Sequence, residues 1–412
     1  MKKSIYLLFI VCILSPSIIA QKNKLKDKGV FKERKQGYYH NIILKNISDY
    51  NETDKNKKQK EYFTVDLSNY DFPTDIDEYT TFWHTQPSSQ GSTGTCWSFA
   101  TTSFFESEAK RISNVKIKLS EMFTAYYEYV DRAIYFVKNR GDVYFNQGSE
   151  ANALKRIMKT YGAVPYSDYS GMLKNQKSHD HSKMFSEMNT YLESIKINNA
   201  WNEEVVVQTI KDILNFYMGA PPKAIIFDGK EITPKEFLSD ILKINPDDYY
   251  SFMSTKELAY NQKGELVEAD NWWHSNDYYN ISLDDYMKTL IDAIESGYSL
   301  SICGDVSEPG HDRYAEVSII PTFDIPSDFI NEDSRQFRLS NKTTTDDHCI
   351  HIVGYKVYND DYWFLIKDSG SGAFDGENKG YRFFHEDYIK LKIMNFIVHK
   401  NGAKNILDKI IK

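Results

Sequence analysis

Ten consecutive residues, Gln90-Gly91-Ser92-Thr93-Gly94-Thr95-Cys96-Trp97-Ser98-Phe99, combine the groups needed for nucleophilic chemistry on a carbonyl. Two glycines form a turn that runs into an amphipathic pattern, and Cys96 falls in the first turn of the helix that this pattern predicts. At such a position the unpaired backbone N–H groups and the helix dipole favour an anion, and the thiolate is the form of cysteine that attacks carbonyl carbon. Gln90, six residues upstream, is placed to aim its side-chain amide across the turn at the oxygen that becomes negative in a tetrahedral intermediate, with the Cys96 backbone N–H as second donor. A thiolate also needs a base. His348, in Asp346-Asp347-His348-Cys349-Ile350-His351-Ile352-Val353-Gly354-Tyr355, opens an apolar strand, which sets its ring at a lobe edge facing a cleft. His351 lies an odd number of residues further on, faces the other side of the strand and reads as a packed or surface histidine.

These two segments need elements to carry them. Trp97, Ala100, Phe104 and Phe105 share one face of a helix over 94–111; Ser120 is a helix N-cap ahead of Glu121 and a helix to about Val137; a third helix after Gly148 carries Ala151, Leu154, Ile157 and Met158 and stops at Tyr161-Gly162. The back half changes character. Tyr298 to Val306, Cys349 to Val357, Tyr362 to Lys367 and Ile393 to His399 read as strands, with Asn359-Asp360-Asp361 as a hairpin turn. The expected fold class is therefore α+β, a helical lobe at about 90–165 and a β-rich lobe at about 296–400, with chemistry in the cleft between them. Residues 166–295 form a large insertion of mixed helical patterns, with turns at Pro221-Pro222 and Pro246-Asp247.

The chain has 412 residues, 41% of them hydrophobic and 15% aromatic, enough for a substantial core. Met1 to Ala20 has the lysines, the short apolar run Ile5 to Leu14 and the small residue before Gln21 that mark a signal peptide, so an exported protein is expected. No later stretch has the length to span a membrane. Residues 21–62 hold twelve Lys or Arg against six Asp or Glu and read as a basic linker or pro-like segment. Of the formal charge of −8, the remaining body, a single domain over 63–400 with a tail at 401–412, carries −16, which argues against nucleic acid as a partner. Three cysteines remain after the signal; Cys303 and Cys349 lie in separate strand-like runs that could be neighbours, and they read in the first place as two small buried apolar residues. His179-Asp180-His181 is read as solvated loop and no metal is assigned.

The Gln, glycine turn, Cys and Trp spacing resembles the active-site signature of papain-like cysteine peptidases, and the Ser-Thr-Gly-Thr-Cys-Trp form is similar to the bleomycin hydrolase and aminopeptidase C branch. Gly354 stands six residues after His348, as a glycine does after the family's catalytic histidine. The resemblance implies that Asp368, in Ile366-Lys367-Asp368-Ser369-Gly370, takes the place of the asparagine that orients the histidine, and that Gly370 replaces a shielding tryptophan, which leaves the bond more open to water. Gln147 and Gly148 stand where paired glycines bind the substrate backbone, with Gln147 liable to intrude on that subsite, and Trp97 joins them as a substrate-binding residue. What the resemblance implies is a thiol aminopeptidase acting on a peptide, without metal or organic cofactor, as a monomer or homo-oligomer. The departures at Asp368, Gly370 and Gln147 favour a rival, a non-catalytic peptide-binding protein on this scaffold, and an endopeptidase is the third reading. The tail has two readings: entry into the cleft, or a terminal helix, since Ile406, Leu407, Ile410 and Ile411 repeat at helical spacing.

Overall fold

The computed structural model describes residues 63–68 and 70–411, together with the isolated positions Tyr38, Ile42, Lys45, Asn46 and Asp49. The signal peptide and nearly all of the basic segment lie outside the described residues. The elements named next all belong to the unit from Phe63 onward.

Helix α1 (Cys96–Ser113) is buried on nearly every side from Trp97 to Ala109, which makes it the central helix of the lobe rather than a surface one. It ends where Asn114 adopts a left-handed conformation and its N–H closes on the Lys110 carbonyl. Helix α2 (Glu121–Lys138) starts at Ser120, whose side chain accepts a hydrogen bond from the Phe123 N–H at 3.0 Å, a cap that contributes about 1 kcal/mol. Helix α3 (Ala153–Tyr161) stops at Gly162 as expected. The insertion adds α4 (Ser182–Ile197) and α5 (Glu203–Met218), which pack their apolar faces into the same core as α1 and α2.

The strands are β1 (Thr80–Thr81), β2 (Ile225–Phe227), β3 (Lys230–Ile232), β4 (Tyr249–Met253), β5 (Gln262–Gly264), β6 (Tyr278–Asn280), β7 (Leu300–Gly304), β8 (His311–Asp312), β9 (Val317–Ser318), β10 (His348–Tyr358), β11 (Asp361–Lys367), β12 (Tyr381–His385) and β13 (Ile393–His399). Apart from the β2-β3 hairpin they form one sheet in the order β5-β6-β4-β13-β7-β10-β11-β12-β9-β8, with β1 beside β10. Asn359 and Asp360 join β10 to β11 with positive φ at both residues, the geometry of a tight hairpin turn. The sheet also recruits β4, β5 and β6 from within 249–280, short runs that periodicity placed inside the insertion without a sheet partner.

One sheet face rests on α1. The other is covered by α6 (Leu283–Glu295), α8 (Glu386–Lys392) and α9 (Lys404–Ile410), with Tyr286, Leu290, Phe396, Ile406 and Leu407 in one apolar cluster; α7 (Glu332–Ser340) lies nearby through the buried Arg335. The tail thus forms the terminal helix and not a cleft-entering strand, held by Lys409 to Asp285 at 2.6 Å and Asn405 to Asp292 at 3.2 Å. Among the described residues no helix is long and apolar enough to cross a membrane.

Cys303 and Cys349 sit directly opposite each other on β7 and β10 and are joined by a disulfide, which corrects their reading as separate buried apolar residues. Antiparallel register brought together two thiols that are 46 residues apart in sequence.

Candidate active site

The nucleophile turn is fastened from three directions. The Gln90 side-chain amide donates to the Thr93 carbonyl at 2.6 Å, its oxygen accepts from Ser369 Oγ at 2.8 Å, and its backbone N–H donates to the Ser369 carbonyl at 3.0 Å. Gly91 adopts φ +67°, and a side chain there would meet the His179 carbonyl at 2.5 Å, so glycine is required twice over. The turn delivers Cys96 as the first residue of α1, partly exposed and the one free thiol among the described residues. Thr95 gives no side-chain cap, and the first helical N–H groups have no partner within the helix.

His348 opens β10, beside the cysteine. Its Nε2 lies 2.7 Å from Asp368 Oδ1, and Cys96 is near enough to act on its charge. Nε2 being engaged, Nδ1 is the nitrogen left to face the sulfur. Asp368 has two further donors: the Gly370 N–H at 2.8 Å on Oδ1 and Arg382 Nε at 3.1 Å on Oδ2. Burial works against the imidazolium, but the Asp368 carboxylate and Cys96 outweigh it and hold His348 well above the ordinary histidine range. Burial likewise opposes the Asp368 charge, yet His348 and Arg382 hold that carboxyl well below its usual range. The expectation that Gly370 leaves this bond open to water is not met: the side chains of His348 and Asp368 are only 11% and 4% exposed, since Arg382 fills the far side. His351 is fully buried and bonded through Nδ1 to Ser103 Oγ at 2.9 Å, so it belongs to the packing of α1 on the sheet.

The side formed by Trp97, Gln147 and Gly148 differs more from the expectation. Trp97 has no exposed surface and donates its indole N–H to the Gln147 carbonyl at 3.0 Å. It cannot touch a substrate, and the reading of Trp97 as a substrate-binding residue is corrected to one of holding the 147–148 backbone. Gln147 does not intrude on the subsite; its Oε1 turns back to accept from the Gly94 N–H at 2.9 Å. Gly148 is held by Arg132, which donates to its carbonyl at 2.6 Å, and a side chain on Gly148 would collide with the Asp270 carboxylate.

Sequence reading missed Arg382 and Asp270. Arg382 carried a signal, a lone cation at an inward position of the run Tyr381 to His385. Asp270 carried none, because only folding lays the insertion on Gly148.

The fold is papain-like. A crystal structure of PepW from Lactobacillus rhamnosis, determined as the selenomethionine derivative, aligns over 90% of this chain and 91% of its own with a TM-score of 0.63 and 17% identity. A structure of mite allergens, described for the antibody cross-reactivity of Blo t 1 and Der p 1, aligns over 89% of this chain and 84% of its own with a TM-score of 0.38 and 15% identity. No family model and no curated protein matches the chain.

Proposed function

We propose that this protein is a cysteine peptidase, and within that class an aminopeptidase. The observation that carries the reading is that a helix start, a strand start and a strand end bring Cys96, His348 and Asp368 together, with His348 bonded to Asp368 and its charge favoured by Cys96. In the first half-reaction the Cys96 sulfur attacks the scissile carbonyl carbon, forming a C–S bond and an oxyanion. The second N–H of the Gln90 amide and the Cys96 backbone N–H are the donors we assign to that oxyanion. His348 passes its proton to the leaving amine as the C–N bond breaks, leaving a thioester. It then takes a proton from water as the water oxygen attacks, and the C–S bond breaks to release the acid and restore the thiolate. Asp368 acts through His348, holding the ring and favouring its charged form. Gly148, stripped of Trp97 as a companion, is the assigned substrate-backbone contact.

Cys96→Ala is expected to lower peptide hydrolysis by at least about a thousandfold, since the nucleophile is lost. The partly exposed position should leave the circular dichroism spectrum unchanged. Retained hydrolysis by a folded Cys96→Ala protein would rule the peptidase reading out.

A further inference from the structure

Beyond the nucleophile turn the cleft holds four carboxyl groups that form no ion pair among the described residues. Asp270 lies against Gly148, and Gly148 N is 3.9 Å from where a Gly94 side chain would begin, two residues before Cys96. Glu150 and Asp346 approach within 4.8 Å of each other, and Asn395 Nδ2 donates to both, at 3.3 Å and 3.0 Å. Glu268 completes the group, being within electrostatic reach of Glu150, Asp270 and Asp346. The third neighbour of Glu150 and Asp346 is the Cys303 sulfur, which its disulfide removes as a metal ligand.

The buried polar atoms at this cluster without a partner within the protein include Glu150 Oε1 and the hydroxyl of Tyr278, whose strongest charged neighbours are Glu150 and Asp346. Leaving such groups unpaired carries the full cost of removing them from water unless something binds there. The one guanidinium nearby, Arg132, spends a donor on each of the Asn146 and Gly148 carbonyls and leaves Nε and Nη2 unpartnered. Asn146 contributes a long hydrogen bond to Asp270 at 3.4 Å. The arrangement is acidic and partly buried, and the nearby cations, Arg132 toward Asp270 and Lys342 toward Glu268, act at a distance without forming an ion pair among the described residues. Burial and the neighbouring carboxylates push Glu150 up to about 8 and Glu268 up to about 6, a repulsion that an incoming cation relieves.

We infer that Asp270, with Glu268 and Glu150 behind it, receives the free α-ammonium group of a peptide substrate and so sets aminopeptidase specificity. An α-amine lies within one residue of the carbonyl that Cys96 attacks, a span of about 3.5 Å, and Asp270 sits on the glycine packed against the nucleophile turn. Tail residues Lys404–Ile410 are committed to helix α9, and Asp270 and Glu268 belong to the insertion. The inference deepens the peptidase reading and rests on Cys96 being the reactive thiol.

The test reads binding and turnover separately, with chelator present throughout. Alkylation of Cys96 by iodoacetamide is followed by mass spectrometry while alanine amide or N-acetyl-alanine amide is titrated in, for the wild-type chain, Asp270→Asn and Glu268→Gln. Alanine amide is expected to protect the wild type at least about tenfold more strongly than its acetylated counterpart, and Asp270→Asn to remove that preference. Glu268→Gln, further from Gly148, should weaken it by less. Unmodified alkylation rates without ligand show that the variants keep the Cys96 site. Equal protection by both amides, or a preference surviving in Asp270→Asn, overturns the inference. Cleavage of alanyl and N-acetyl-alanyl aminocoumarin is measured in parallel; protection that tracks Asp270 with no cleavage of either would uphold the amine site and count against the peptidase reading alone.

Discussion

Two corners of the cleft hold buried charge in opposite ways. At one, His348, Asp368 and Arg382 stand in line as cation, anion and cation, each with a direct partner, and the low-dielectric surroundings strengthen every link. At the other, Glu150, Glu268, Asp270 and Asp346 share a single sign, with one amide bridging two of them. Burial is similar, yet one corner keeps its groups ionised and the other drives them toward the neutral acid. Burial alone therefore does not decide a group's charge; the partner does. A compensated corner is complete in itself, whereas an uncompensated one is completed by a ligand.

The sharpest way to break this contrast is to remove the anion from the complete corner. Asp368→Ala leaves Arg382 buried without its partner, which should cost about 3–5 kcal/mol of stability in a urea titration, and lower kcat by about a hundredfold or more through misplacement of His348. The disulfide lies between the corners, since Cys349 follows His348 and Cys303 pairs with both Cys349 and Asn395. Replacing both cysteines by Ala should lower stability by about 2–4 kcal/mol while labelling at Cys96 continues.

At the uncompensated corner the sign reverses. Glu150 binds its proton more tightly folded than unfolded, so stability is fullest below about pH 4.5 as far as this group is concerned and is lost as pH rises toward about 8. Glu150→Gln should flatten the fall in melting temperature between pH 5 and pH 8, and an unchanged slope would mean the carboxyl is not buried as described. The smallest effect is expected from Asp368→Asn, which keeps an oxygen for Arg382 but removes the charge that raises the His348 pKa. The imidazolium is then lost at lower pH, so the basic limb of the kcat/KM profile should move down by about one unit or more while the acidic limb changes less.

Local chemistry in the chain marked Cys96 and His348, the resemblance supplied Asp368, and Arg382 joined them only in the folded structure. The glycine turn before Cys96, the apolar strand opened by His348 and the cap at Ser120 are written in adjacent residues, and helix and strand periodicity placed their elements to within a few positions. Tertiary structure alone decided the rest. Strand register paired Cys303 with Cys349; helix packing turned Trp97 inward to hold Gln147; and the choice between a cleft-entering tail and a docked helix was made by the apolar surface that α6 offers to Ile406 and Leu407. The acidic corner was hidden for the same reason. Glu150, Glu268, Asp270 and Asp346 come from three separate stretches of sequence, and no periodicity within any of them records that folding will bring these like charges together.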